Sequence, residues 1–190
     1  LKFPIELGWN IFDIEELKLR VQNAIARAER ESLTDPQSGL PAGRMIEDQL
    51  RRMIRQKGWA FMDIRINHFD PFKDVYGFIA ANDALRFTAM LIGEVADELG
   101  NDSDFVGHAG GDNFVLVTSE ERAAAIRQRL KERFAEAVLA HYSFMDRQQG
   151  YINVTDKNGQ TTQAPLMTLA VGVVSPTTHS FADIREITEL

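Results

Sequence analysis

The stretch HAGGDNFVLV, residues 108–117, sets one carboxylate, Asp112, behind Gly110 and Gly111 and ahead of an apolar run that begins at Phe114. Two glycines and two polar residues between short apolar segments spell a tight turn joining antiparallel strands. A carboxylate at the tip of such a turn either punctuates the chain or holds a divalent metal for phosphate chemistry, since hard cations take oxygen ligands. A second pair of charges lies in WAFMDIRI, residues 59–66. On a strand, Asp63 and Arg65 share one face with about 7 Å between them. His68, His108, His141 and His179 follow no metal-ligand spacing and read as solvated or core histidines.

The elements that must position these groups are written in the periodicity. FDIEELKLRVQNAIARAER, residues 12–30, spaces Ile14, Leu17, Val21, Ala24 and Ala28 three and four apart, with acidic residues early and basic ones late. That pattern predicts an amphipathic helix. It fits a short coiled-coil seam for a homodimer through residues 12–30, and equally a helix lying on its own domain. LTDPQSGLPAG, residues 33–43, predicts a loop at the start of the main domain, with Asp35 capping it.

A helix is expected over residues 42–56, a largely buried strand over 59–66, and a helix with a broad apolar face over 84–99. DFVGH and FVLVT, residues 104–108 and 114–118, form the arms of the hairpin, and a long helix with a solvated charged face covers 120–142. A smaller hairpin turns at Asn158 and Gly159, and residues 167–175 read as another buried strand. Trp9 and Trp59 read as packing residues. Helices alternating with strands predict a mixed sheet with helices packed on it. The chain ends within FADIREITEL, a helical beginning without a closing signal, which predicts a truncated C-terminus.

A length of 190 residues with 44 % hydrophobic content suits one globular domain plus an extension. The absence of a long uninterrupted apolar stretch and of a signal-peptide pattern leads to the expectation of a cytoplasmic protein without membrane association. With no cysteine there is no disulfide, thiolate metal site or cysteine nucleophile. A net charge of −7 argues against broad affinity for nucleic acid or anionic lipid.

LTDPQSGLP, NHFDPFKDVYGF and DFVGHAGGDNF, in that order, resemble the markers of the GGDEF family, the diguanylate cyclase domain. The resemblance runs from Leu33 to the C-terminus and divides the chain into residues 1–32 and a GGDEF-type domain over 33–190. It implies an α+β fold: a mixed five-stranded sheet surrounded by helices, related to adenylate cyclase and polymerase palm domains, with an N-terminal linker helix. Residues 12–30 resemble the last helix of a response-regulator receiver domain, which implies a receiver domain in cis. In an active family member two domains each hold one GTP and condense them into cyclic di-GMP. A ribose hydroxyl of one nucleotide attacks the α-phosphorus of the other and pyrophosphate leaves, with Mg held by carboxylates.

Carried over residue by residue, the resemblance implies a dismantled site. Arg65 stands where the family has its first metal-binding aspartate, and Asn67 at the second. Of the nucleotide-binding positions, Phe69 keeps a backbone N–H that can meet a phosphate, Asp70 replaces a phosphate-contacting lysine, and Lys73 and Asn82 replace the residues that read guanine. In the turn motif Gly110, Gly111, Asp112, Asn113 and Phe114, the metal-binding carboxylate survives at Asp112 while Asn113 replaces a second acid, leaving both as vestigial catalytic positions. A two-residue shift of the alignment would instead make Asp63 the metal ligand opposite Asp112. Asn101 replaces the arginine of the family's inhibitory site and Asp104 remains, equally readable as a turn residue. Arg65 is expected either to pair with Asp112 in place of the metal or to turn to solvent. The function implied is a regulatory output module, with no cofactor and with a protein partner or homodimer contact. The alternatives are an active cyclase using Mg and a nucleotide sensor without turnover.

Overall fold

The computed structural model describes residues 14–31, 33–155, 158–179, 181 and 186. Its helices are α1 (Ile14–Glu31), α2 (Arg44–Met53), α3 (Phe69–Leu99), α4 (Glu120–Ala137) and α5 (Phe144–Gln149), with a 3-10 turn at Val138–His141. Its strands are β1 (Trp59–Asn67), β2 (Phe105–Gly110), β3 (Asn113–Ser119), β4 (Tyr151–Thr155), β5 (Thr161–Pro165) and β6 (Thr168–Val174). The main sheet has the order β2-β3-β1-β6, and β4 and β5 form a separate hairpin.

The expected α+β fold, a sheet surrounded by helices, is present; where a mixed five-stranded sheet was expected, the main sheet has, among the described residues, four strands in which every neighbouring pair is antiparallel. The reason is topological. α3 joins β1 to β2, and these two run parallel, but β3 slots between them; α4 leads from β3 towards β6, and β1 lies between those. The helices thus serve parallel crossovers whose members never touch, the split β-α-β arrangement of ferredoxin-like folds.

Both faces of β1 are buried along its first half and alternate afterwards. Ala60, Met62, Ile64 and Ile66 pack with Phe114 and Leu116 against Leu85, Ile92, Ile126, Leu130 and Phe134 of α3 and α4. On the other face Trp59, Phe61, Val115 and Val117 lie under Ile46, Leu50 and Met53 of α2. That short helix ends its cover there, so Asp63 and Arg65, farther along the same face, are exposed. Trp59 is a packing residue, 5.8 Å from the ring of Phe181. Trp9 and most of residues 181–190 lie outside the described residues, and with them the expected C-terminal helix.

α3 begins at Phe69 rather than near Ala84, because its first segment breaks at Gly77 (φ 84°, ψ 174°) before the helix resumes. Pro71 in the first turn costs nothing, since that N–H has no partner in a helix. α3 is long and apolar enough to cross a bilayer by length and composition, but Phe72, Leu85, Ile92 and Val95 are spent on the protein core. α1 forms as expected, with Leu19, Val21 and Ile25 exposed on it.

Gly107 lets α2 approach the hairpin: a Cβ there would stand 2.9 Å from Ile46 Cγ1 and 3.0 Å from Val115 Cγ2. Gly107→Ala is therefore expected to destabilise the domain by about 1–3 kcal/mol through overpacking, measured as a lower midpoint in urea unfolding. A midpoint equal to that of the parent would contradict this packing.

Candidate functional site

The charged face is assembled by strand register. Arg65 lies directly opposite Asn113, and Asp63 opposite Val115. Arg65 Nε donates to Asn113 Oδ1 at 2.7 Å. Of the two expected placements, a pair with Asp112 or a turn to solvent, the first is not found: among the described residues Arg65 makes no ion pair and is exposed, because Asn113 sits across the ladder while Asp112 belongs to the turn beyond it. Asp112 holds the strand end through its backbone, whose carbonyl accepts from Ile66 N–H at 3.1 Å. Asn67, opposite Thr168 on β6, donates to Thr168 Oγ1 at 3.1 Å.

Burial pushes the Asp63 carboxyl above 3.8, Arg65 pulls it down, and the charge of Asp112 pushes it up again. The two carboxylates thus lie within electrostatic reach, with a guanidinium beside them. A divalent ion placed here would have Asp63 and Asp112 as its carboxylate ligands and the Arg65 guanidinium against it. Among the described residues no three His, Asp or Glu side chains converge on one point, and a cation near the site opposes another.

The turn is fixed from behind. Gly110 and Gly111 take φ values of 111° and 61°, a region that L side chains avoid. His108, read from the sequence only as solvated or core, is buried and stacks on Phe114 at 4.4 Å. Its Nδ1 lies 2.9 Å from Ser38 Oγ and 2.9 Å from Asp35 Oδ1, and its Nε2 lies 3.0 Å from the Gly111 carbonyl. Asp35 caps its loop as expected, accepting from the N–H groups of Gln37 and Ser38 at 2.9 and 2.7 Å. The imidazole therefore joins the 33–43 loop to the turn, a role that depends on residues 70 positions apart and has no local signal in the sequence.

The positions expected from the resemblance to bind nucleotide make contacts within the chain. Asp70 and Lys73 pair with each other at 3.5 Å across one helical turn, and Asn82 Oδ1 accepts from Gln37 Nε2 at 3.1 Å. Phe69 is buried at the start of α3, where His68 takes a left-handed conformation with φ 62°. Asn101 and Asp104 are joined in one turn: Asn101 Oδ1 accepts from Ser103 N–H at 3.0 Å, and Asp104 N–H donates to the Asn101 carbonyl at 2.9 Å. Burial pushes the Asp104 carboxyl above 3.8, against the bond it accepts from Thr118 Oγ1 at 2.8 Å.

The family model described as "Diguanylate cyclase, GGDEF domain" matches residues 32–171. Among solved structures, the chain is similar to the diguanylate cyclase SiaD of Pseudomonas aeruginosa, in complex with its activator SiaC. The TM-score is 0.56 and the identity 17 %, over 93 % of this chain and 61 % of that one, so the chain spans less than two thirds of SiaD. It is similar to the coiled coil and GGDEF domain of DgcB from Caulobacter crescentus in complex with c-di-GMP, with TM-score 0.57 and 18 % identity over 93 % and 85 % of the two chains. The FimX GGDEF domain of Pseudomonas aeruginosa is similar with TM-score 0.57 and 18 % identity over 83 % and 88 %. At these identities the likeness carries the fold. No curated protein matches the chain.

Although burial opposes its charge, the Ser38 backbone N–H, His108 and the Ser38 hydroxyl together hold the Asp35 carboxyl below its ordinary 3.8. A depressed carboxylate contributes stability that is fully present above the unfolded value and lost as pH falls through the folded one. The stability advantage of the parent over Asp35→Asn is therefore expected to be constant near neutrality and to shrink in acid below 3.8. Unfolding free energies measured across that range check it, and a difference that stays level in acid would refute it.

Proposed function

We propose that this chain, which belongs to the GGDEF family of diguanylate cyclase domains, works as a signalling output module that has lost GTP condensation. The observation that carries the reading is the 2.7 Å bond between Arg65 and Asn113. A guanidinium cannot be deprotonated in a protein, and here it is held by the very residue that replaces the second acid of the turn. At about 4 Å and an effective dielectric of about 20, two unit charges interact by roughly 4 kcal/mol, and a divalent ion doubles the repulsion. Asp70, at a position where the family offers a lysine to phosphate, adds the opposite fault by repelling a triphosphate.

What remains is a rigid domain that follows a helix. In this reading the exposed apolar residues of α1 form a homodimer seam, and a receiver-type domain in cis changes the geometry of that seam. The output is then contact with a protein partner rather than a new dinucleotide. A second reading, an active cyclase using Asp63 and Asp112, is favoured by one observation: Asp112 contributes to the raised pKa of Asp63.

Incubating the purified chain with GTP and magnesium, followed by chromatography, is expected to give no cyclic di-GMP. Calorimetry is expected to show magnesium binding at least tenfold tighter to Arg65→Asp combined with Asn113→Glu than to the parent, since roughly 1.4 kcal/mol of relieved repulsion suffices for that factor. Product from the parent chain overturns the proposal, and its loss in Asp63→Asn would then establish the second reading.

A further inference from the structure

His108 of β2 is 1 % exposed, and both of its ring nitrogens face oxygen. Nε2 lies 3.0 Å from the Gly111 carbonyl, which only accepts, so Nε2 carries a proton. Nδ1 lies 2.9 Å from Asp35 Oδ1 and 2.9 Å from Ser38 Oγ, and those two oxygens are 3.0 Å apart. Three polar atoms at mutual hydrogen-bond distance need at least two protons among them, and the serine hydroxyl supplies only one.

The second proton has one place to sit. With the Ser38 hydroxyl turned to Nδ1, that nitrogen and Asp35 Oδ1 would be two acceptors in contact. Turned to Asp35, it leaves Nδ1 facing two oxygens with nothing to share unless the nitrogen bears a proton of its own. The carboxyl does not take that proton: Asp35 Oδ1 already accepts from the N–H groups of Gln37 and Ser38. Although burial opposes its charge, these contacts hold the carboxyl below its ordinary 3.8. The other charged groups around the ring leave Asp35 as its counter-ion. From α3, Arg86 donates to the Gln37 carbonyl at 3.1 Å and lies 3.9 Å from Asp83; the turn carries Asp112, beyond the Gly111 carbonyl; and from β3 the uncharged ring of Phe114 stacks on the imidazole.

We propose that His108 is held as an imidazolium by Asp35, and that its second proton latches the 33–43 loop to the Gly110–Asn113 turn, so that the junction between α1 and the domain loosens when the proton leaves. A histidine that gains a partner for its proton on folding contributes stability that is complete in acid and lost as pH rises. The latch is therefore closed where Asp35 is ionised and His108 protonated, and it opens in base. Deprotonation leaves a buried carboxylate oxygen against a bare nitrogen, and the loop then keeps to β2 through the His108 backbone N–H, which donates to the Pro41 carbonyl at 2.8 Å. The device is independent of the Arg65–Asn113 pair, so it stands or falls separately from the loss of condensation.

The test is NMR of the full ¹⁵N-labelled chain between about pH 5 and 9, a span that includes the ordinary histidine range. The imidazole of His108 is recognised in the parent by its transfer to the ring of Phe114, 4.4 Å away. At about pH 6 both ring nitrogens are expected to bear protons. As pH rises Nδ1 is expected to lose its proton, and at the same midpoint the backbone amide of His108 is expected to exchange at least tenfold faster relative to amides of β1, which is paired on both sides. In Asp35→Asn the ring is expected to lose its proton at least one pH unit lower, about a tenfold loss of proton affinity; should that variant not fold, the two readouts on the parent decide alone. The proposal is overturned if one ring nitrogen is bare at about pH 6 or if both protons persist to about pH 9. It is equally overturned if amide exchange ignores the ring's midpoint, or if folded Asp35→Asn leaves that midpoint in place.

Discussion

The register of β1 against β3 governs the charged face. Ile64 faces Phe114 and Met62 faces Leu116 across the ladder, and all four side chains are fully buried. A slip of one residue would turn this apolar set out to solvent and bring Asp63 and Arg65 into the core, a change no domain of this size survives. With the register held by the core, Arg65 has no choice of neighbour on β3: it meets Asn113. The hydrogen bond between them is therefore a consequence of packing on the far side of the sheet. The two residues also belong together chemically. A glutamate at 113 would have made a salt bridge to Arg65, and an aspartate at 65 would have left Asn113 without that charged donor.

The scaffold behind this face is held by a polar network that spans loop, turn and helix. His108 links Asp35 and Ser38 to the Gly111 carbonyl, and His108 N–H donates to the Pro41 carbonyl at 2.8 Å. Gln37 then joins the same loop to α3, giving its side chain to Asn82 and its carbonyl to Arg86 Nε at 3.1 Å. Loop, turn and helix thus form one network of polar groups, buried or half-buried apart from the exposed Arg86, in which removing a buried member strands the others.

Much of the fold was legible because its signals are local. The hairpin followed from paired glycines, β1 from its apolar run, α1 and α4 from their spacing, and the cap at Asp35 from its LTDP setting. The family resemblance rested on short segments of the same kind. The start of α3 was hidden because Pro71 and Gly77 interrupt the apolar rhythm that a helix is recognised by, although the first tolerates a helix and the second only bends it. The antiparallel pairing of the main sheet was hidden for a different reason: alternating helices and strands report that crossovers are parallel, but not which strand is later inserted between them. The partner of Arg65 and the position of His108 depend on register and on tertiary approach, and neither leaves a mark on neighbouring residues.

Charges near both ends of β1 are balanced locally. Asp70 and Lys73 carry charges opposed to nucleotide binding or foreign to it, yet at 3.5 Å across one helical turn each screens the other. Such an exposed pair is worth little in stability, so its effect is to keep the first turn of α3 electrically quiet. Arg65 is quieted in turn by Asn113 and by the neighbouring charges of Asp63 and Asp112. At the other end of β1, Trp59 Nε1 and Ser119 Oγ are buried without a hydrogen-bond partner among the described residues. The strand is paired on both sides along most of its length, too stiff to relay a change from one end to the other by bending. α2 supplies Arg52 and Met53 to a cavity at the Trp59 end and packs through Ile46 onto Gly107. α2 follows directly on the loop clamped by Asp35 and His108, and α1 precedes that loop.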